Sequence, residues 1–192
     1  MYRQCTTEKS SIQQRKLEQC MLEAMLKKDS YDEISISELC RDAGLSRKTF
    51  YRLFDSKSDV ILAMIDQTFL DSHRYVPGPE IRPGGLHHFF AFWKDQKRLL
   101  DALNRHNCTA LLMERAGVFI LREDNDLAHV LGADLENGRE ILRFNLSAIF
   151  SLVISWYESG YAKSVDEMAA LLMDLMTTPM VRAPRAVDPY RE

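Results

Sequence analysis

The chain has 192 residues, 46% of them hydrophobic and 28% charged, with 25 Lys and Arg against 28 Asp and Glu. This is an ordinary soluble globular balance, which argues against a disordered or a membrane chain. The longest informative uncharged run, Phe144 to Tyr157, falls short of the ~20 residues a spanning helix needs. MYRQCTTEKS at the start has no apolar core of the kind a secretory signal requires, so a cytoplasmic location without a membrane partner is expected. Cys5, Cys20, Cys40 and Cys108 are scattered, against both a disulfide framework and a zinc cluster. Charge is uneven: residues 1–60 carry a balance of +1 and residues 61–192 one of −4, so basic character is local.

Apolar residues recur at spacings of three and four almost throughout, which predicts an all-α chain. Ser11 with Gln14, Ser35 with Glu38, Ser56 with Asp59 and Ser164 with Glu167 each pair a hydroxyl with an acid or amide three residues on, the pattern that satisfies free N–H groups at a helix start. Helices are predicted over 11–28, 36–43, 47–54, 57–75, 84–104, 107–117, 136–159 and 165–177. Pro77-Gly78-Pro79 and Pro83-Gly84-Gly85 interrupt the pattern once, strongly. The acidic stretch Arg122 to Asp134 reads as a short helix or a loose connection, and Thr177 to Glu192 as a frayed tail.

The two short helices carry the chemistry. In SISELCRDAGLSRKTFYRLF, Ile36, Leu39, Cys40 and Ala43 form an apolar stripe, Gly44 permits a positive φ, and Ser46 can cap a second helix. That is a helix-turn-helix spacing. With Leu45, Phe50 and Phe54 pointing inward, Arg47 and Tyr51 lie one turn apart on the outer face, beside Lys48 and Arg52. Such a face is almost all donor and suits a major groove, where Arg or Lys donates to guanine and a threonine methyl meets a thymine methyl. Tyr51, Lys57 and the N–H groups at the helix starts marked by Ser35 and Ser56 are placed for phosphate oxygens. The plain alternative is a core helix pair with a solvated basic surface.

Residues 10–65, with IxELCxxAGLSxxTFYxxFxSKxDVIxAMI, resemble the DNA-binding domain of the TetR family of bacterial transcription regulators. The resemblance implies a three-helix helix-turn-helix domain over 8–57, a helical ligand-binding and dimerisation domain over 58–178 and a flexible tail over 179–192. It implies a homodimer on a palindromic double-stranded DNA operator, nucleoid-associated when bound, acting as a repressor answering to a small-molecule effector. By position it places Ser37, Arg47 and Thr49 near bases, and Ser35, Tyr51 and Lys57 near phosphates; Ser46, Lys48 and Arg52 join the site from capping, charge and facing. Three departures stand out. Leu53 occupies a position often polar in the family, Arg47-Lys48 replaces a smaller or neutral pair, and Lys28-Asp29-Ser30 stands where a glycine commonly ends the first helix. The last predicts Asp29 or Ser30 in the left-handed region.

Beyond Gly85 the reading rests on pattern. HHFFAFWKDQKRLLDAL is broadly apolar; its aromatics are core, or Phe89 and Trp93 with Leu111, Leu112 and Met113 border a ligand cavity. The helix from Phe144 to Tyr157 is apolar nearly all round, so one side should meet its own domain and another a second subunit. Phe144, Ala148, Leu152, Trp156, Met168 and Leu172 are the candidate interface residues, in a four-helix bundle with the mate. The run from Trp156 to Met168 also resembles regulators related to the activator of dihydroxyacetone kinase genes, which implies an alternative role as a coactivator or interaction protein controlled by a protein partner. An enzyme finds no support: the nucleophile-elbow, phosphate-loop, dinucleotide and zincin motifs are absent from the sequence. Adjacent His87 and His88 diverge on a helix, so neither a metal nor a cofactor is expected.

Overall fold

The computed structural model describes residues 7–75, 83–121 and 136–177, and the described residues form nine α-helices without a strand. They are α1 (Glu8–Lys27), α2 (Ile36–Asp42), α3 (Arg47–Leu53), α4 (Lys57–Tyr75), α5 (Pro83–Asp95), α6 (Lys97–Arg105), α7 (Ala110–Ile120), α8 (Gly138–Glu158) and α9 (Val165–Thr177). A single 3-10 turn, Tyr31–Glu33, links α1 to α2. The expectations for Arg122 to Asp134 and for most of the tail lie outside the described residues.

Three of the four predicted start signals act as caps. Ser35 Oγ accepts the Glu38 N–H at 3.1 Å. Ser56 and Asp59 exchange bonds at 3.1 and 3.3 Å, and Ser164 and Glu167 at 2.7 and 3.2 Å. The first helix departs from the prediction. It begins three residues earlier, because Thr7 and Ser10 form a reciprocal cap with both bonds at 3.2 Å, and Ser11 and Gln14 lie inside it.

The predicted 84–104 helix is two helices. At Gln96 the backbone turns to φ −82°, ψ 20°, its N–H bonding back to the Trp93 carbonyl at 3.2 Å, and α6 starts afresh at Lys97. The break re-aims Leu99, Leu100, Ala102 and Leu103 into the core. The predicted 107–117 helix begins instead at Ala110, since Asn107 takes φ 55° to close α6 and its neighbour Cys108 bonds back to Leu103 O at 2.7 Å.

Neither Asp29 nor Ser30 is left-handed. Lys28 ends α1 in an extended conformation (φ −93°, ψ 146°), and its ammonium holds the turn by donating to Glu38 Oε2 at 2.9 Å and Glu33 O at 3.3 Å. Side-chain tethers do the work that a glycine does elsewhere.

One buried apolar cluster runs from Leu17, Met21 and Met25 of α1 through Phe50, Phe54 and Ile65 to Trp93, Leu103 and Val153. The long helix α4 carries it from one end of the molecule to the other. Helix α1 packs on α4 and on α6, where Arg98 reaches Glu23 at 2.7 Å, Arg105 reaches Asp29 at 3.1 Å and His106 Nε2 bonds Met25 O at 2.8 Å. Further along, α4 lies against α7, α7 against α8, and α9 along α5. The α4–α7 seam holds a buried ion pair, Arg115 Nε to Asp66 Oδ1 at 2.7 Å, and one turn on the stacked rings of Phe69 and Phe119. Among the described residues no helix is long and apolar enough to cross a membrane.

Candidate nucleic-acid interface

The turn between α2 and α3 is built as the sequence requires. Gly44 sits at φ 65°; its N–H bonds to Arg41 O at 3.1 Å and the Leu45 N–H to Cys40 O at 2.8 Å, the paired closure that satisfies the last carbonyls of a helix. Ser46 then caps α3, its Oγ accepting from Thr49 N–H at 3.1 Å. From below, Leu39, Cys40, Ala43, Phe50, Leu53 and Phe54 are buried in the shared core. Leu53 therefore belongs to the packed side of α3, and its apolar character is a core requirement.

What remains outward on α3 is Arg47, Lys48, Tyr51 and Arg52, all exposed, with Thr49 half-buried and no acid on the helix. Arg47 lies over the Tyr51 ring, 5.9 Å from its centroid, and Nη2 donates to the phenol oxygen at a long 3.4 Å. That contact raises the arginine's affinity for its proton, on a guanidinium that is charged at any physiological pH. Tyr51 is itself fixed edge-on to Phe50, centroids 5.5 Å apart, while 44% of it is exposed. Ser35 and Ser37 sit exposed at the start of α2. The basic face is thus carried on side chains whose roots are held by the core.

Two placements were not legible from spacing. Lys57 turns partly inward: its ammonium donates to Tyr31 O at 2.7 Å and Ile34 O at 3.0 Å and lies 4.1 Å from the Tyr31 ring centroid. Two of its three N–H groups serve the fold, leaving one. Arg52 donates to Gln13 Oε1 of α1 at 2.7 Å, which tethers one end of the basic face to the first helix. Gln13 is thirty-nine positions away in the chain, and no local pattern announces it.

Of the residues considered for a cavity, Trp93 and Leu112 are wholly buried, and Phe89, Leu111 and Met113 are half-buried against the same core. Of those considered for a subunit interface, Trp156, Met168 and Leu172 are buried within the chain itself. Trp156 is held there by Nε1–H to Lys163 O at 2.9 Å and by edge contacts with Phe90 and Tyr161. Phe144 is 55% exposed, and Ala148 and Leu152 are half-buried on the same face. His87 bonds Asp166 Oδ1 at 2.7 Å, linking α5 to α9.

A tri-helical unit whose second and third helices are joined by a glycine-closed turn, with the third presenting donors outward, is a helix-turn-helix DNA-binding domain. Residues 23–64, from the second half of α1 to the first half of α4, match the family model of the bacterial regulatory proteins, tetR family. The chain carries the DNA-binding domain of a TetR-family transcriptional regulator. No curated protein matches it.

Proposed function

We propose that the protein is a dimeric repressor whose hold on a palindromic operator is released by a small molecule. The observation that carries this reading is the exposed donor face of α3, rigidly mounted and free of acids, in a domain of this family. In this arrangement Arg47, Thr49 and Ser37 read bases, while Ser35, Ser46, Tyr51 and the spare N–H of Lys57 hold phosphates. Lys48 and Arg52 supply charge to the flanking backbone, Arg52 from the position Gln13 gives it.

The division at residues 57 and 58 follows from this reading, with α1 to α3 entering DNA and α4 onward pairing and sensing. The second subunit docks on the outward stripe of α8, Phe144, Ala148 and Leu152, together with Leu175 on α9, which is also exposed. Trp156, Met168 and Leu172 back that surface from within. Two recognition helices then stand ~34 to 36 Å apart, one turn of B-form DNA. An effector that shifts α4 changes this spacing.

Selection from random duplex DNA by the purified protein at near-physiological salt tests the reading. Enrichment of a palindrome with half-sites one turn apart is the expected result. A folded protein that enriches no sequence overturns it and favours control by a protein partner.

A further inference from the structure

Trp93 is fully buried, and its indole N–H has no hydrogen-bond partner among the described residues. Around it stand rings from three helices: Phe69 of α4 at 5.6 Å between centroids, Phe89 and Phe92 of α5 at 6.3 and 5.9 Å, and Phe150 of α8 at 5.2 Å. Phe119 of α7 stacks on the far side of Phe69 at 5.6 Å. A buried donor without an acceptor carries its full desolvation penalty. The π faces nearby give only a second-order contact in return. Phenylalanine would fill most of the volume without the liability.

The surroundings select the chemistry of a guest. The contacts to Phe92 and Phe150 are edge-to-face at 85° and that to Phe69 is at 61°, so a flat ring can replace one partner and keep favourable geometry with the others. The rings that touch Trp93 carry no charge. Asp66 and Arg115, one turn from Phe69 and Phe119, neutralise each other, leaving a carboxylate or ammonium guest without a counter-ion from that pair. Phe69 is the ring whose displacement matters most, since it touches Trp93, Phe119 and Phe150 and is rooted in α4.

We propose that the effector is an uncharged aromatic molecule carrying one hydrogen-bond acceptor, which receives the Trp93 N–H and displaces the Phe69 ring from its stack. This rests on the ligand-responsive reading above and names the chemical class it requires. Displacing Phe69 loosens the α4–α7 seam, and α4 runs directly into the DNA-binding domain.

Three naphthalenes test it: 2-acetylnaphthalene, its near-isostere 2-isopropenylnaphthalene without an acceptor, and the 2-naphthoate anion. Titrated into the intact protein, the ketone should bind about tenfold more tightly than the alkene, the increment of one good hydrogen bond. Naphthoate should bind weakest. The Trp93 indole N–H resonance should move downfield with the ketone and not with the alkene. In Trp93→Phe the ketone's preference should fall to about onefold. Equal affinities for ketone and alkene in the wild type, a preference that survives in Trp93→Phe, or tightest binding of naphthoate would each overturn the proposal. If Trp93→Phe fails to fold, the wild-type resonance decides alone. Operator selection without probe keeps the two readings separable: a protein that selects DNA but binds none of the three sinks this inference and leaves DNA recognition standing. Ketone binding with the expected preference but no change in operator affinity supports the pocket chemistry and removes the ligand response.

Discussion

Replacing Gly44 by alanine isolates the backbone term in the turn that aims the recognition helix. A Cβ built on Gly44 meets nothing within 4 Å, so no steric contact enters. What remains is the φ of +65°, where an L-residue pays roughly 1–2 kcal/mol. Against this, alanine restricts the unfolded chain and recovers about 0.4–1 kcal/mol. The net loss is about 1 kcal/mol, or a fall of about 2–4 °C in Tm for a chain of this size. Gly117 lies inside α7, where a Cβ also meets nothing within 4 Å and φ is ordinary. There the same substitution should stabilise, by about 0.5–1 kcal/mol. Urea and thermal unfolding of both variants measure the pair of opposite signs. Because a loss of about 1 kcal/mol leaves nearly all molecules of a typical domain folded, a drop in operator affinity for Gly44→Ala reports a changed angle between α2 and α3. If Gly44→Ala were stabilised as Gly117→Ala is, the left-handed turn would not be the conformation the chain adopts.

Arg47→Ala should relax selection at one base position by about 1–3 kcal/mol, whereas Lys57→Ala should weaken all sequences alike. Lys57→Ala should also lower Tm, because it takes a charged donor from the Ile34 carbonyl and from the Tyr31 carbonyl, which keeps only the Ile34 N–H; competition binding and a melt read both effects. Phe144→Glu should yield monomers with much weaker operator binding, and a sedimentation profile unchanged from the wild-type dimer would move the interface off α8. Burial pushes the Glu18 carboxyl above its ordinary value, with the Gln14 amide only partly opposing it. A raised acid contributes stability that is complete below its unfolded-state value and lost as pH rises through the folded one. Glu18→Gln should therefore melt higher than wild type at neutral pH, and the gap should close on acidification.

The helix-turn-helix was readable because every determinant is local: a hydroxyl cap at Ser35 and Ser46, a glycine at the one position needing positive φ, and an apolar stripe. The break at Gln96 was not, since DQK is compatible with a continuing helix and only the competition of Leu99, Leu100 and Leu103 for the core bends the chain. Lys57 and Arg52 show the limit at the site. Charge and facing put them on the surface, but Tyr31, Ile34 and Gln13, which decide where their donors go, come from other parts of the chain. For α8, apolar residues all round gave two possible faces. Assigning Trp156 inward and Phe144 outward needed the position of Phe90 and Tyr161.

The polar strip between α1 and α6 has a consequence for anyone counting phosphates from a salt titration. The Arg98–Glu23 and Arg105–Asp29 bridges are exposed, each contributing at most about 1 kcal/mol, and electrolyte screens them as it screens DNA. Raising ionic strength thus strips counter-charges from the operator complex and, in the same tube, weakens two ionic contacts between the reading domain and the rest of the molecule, which the apolar core still joins. The logarithmic slope of affinity against salt is then a sum of an intermolecular and an intramolecular ionic process, and dividing it by the usual per-phosphate increment overcounts the contacts made to DNA.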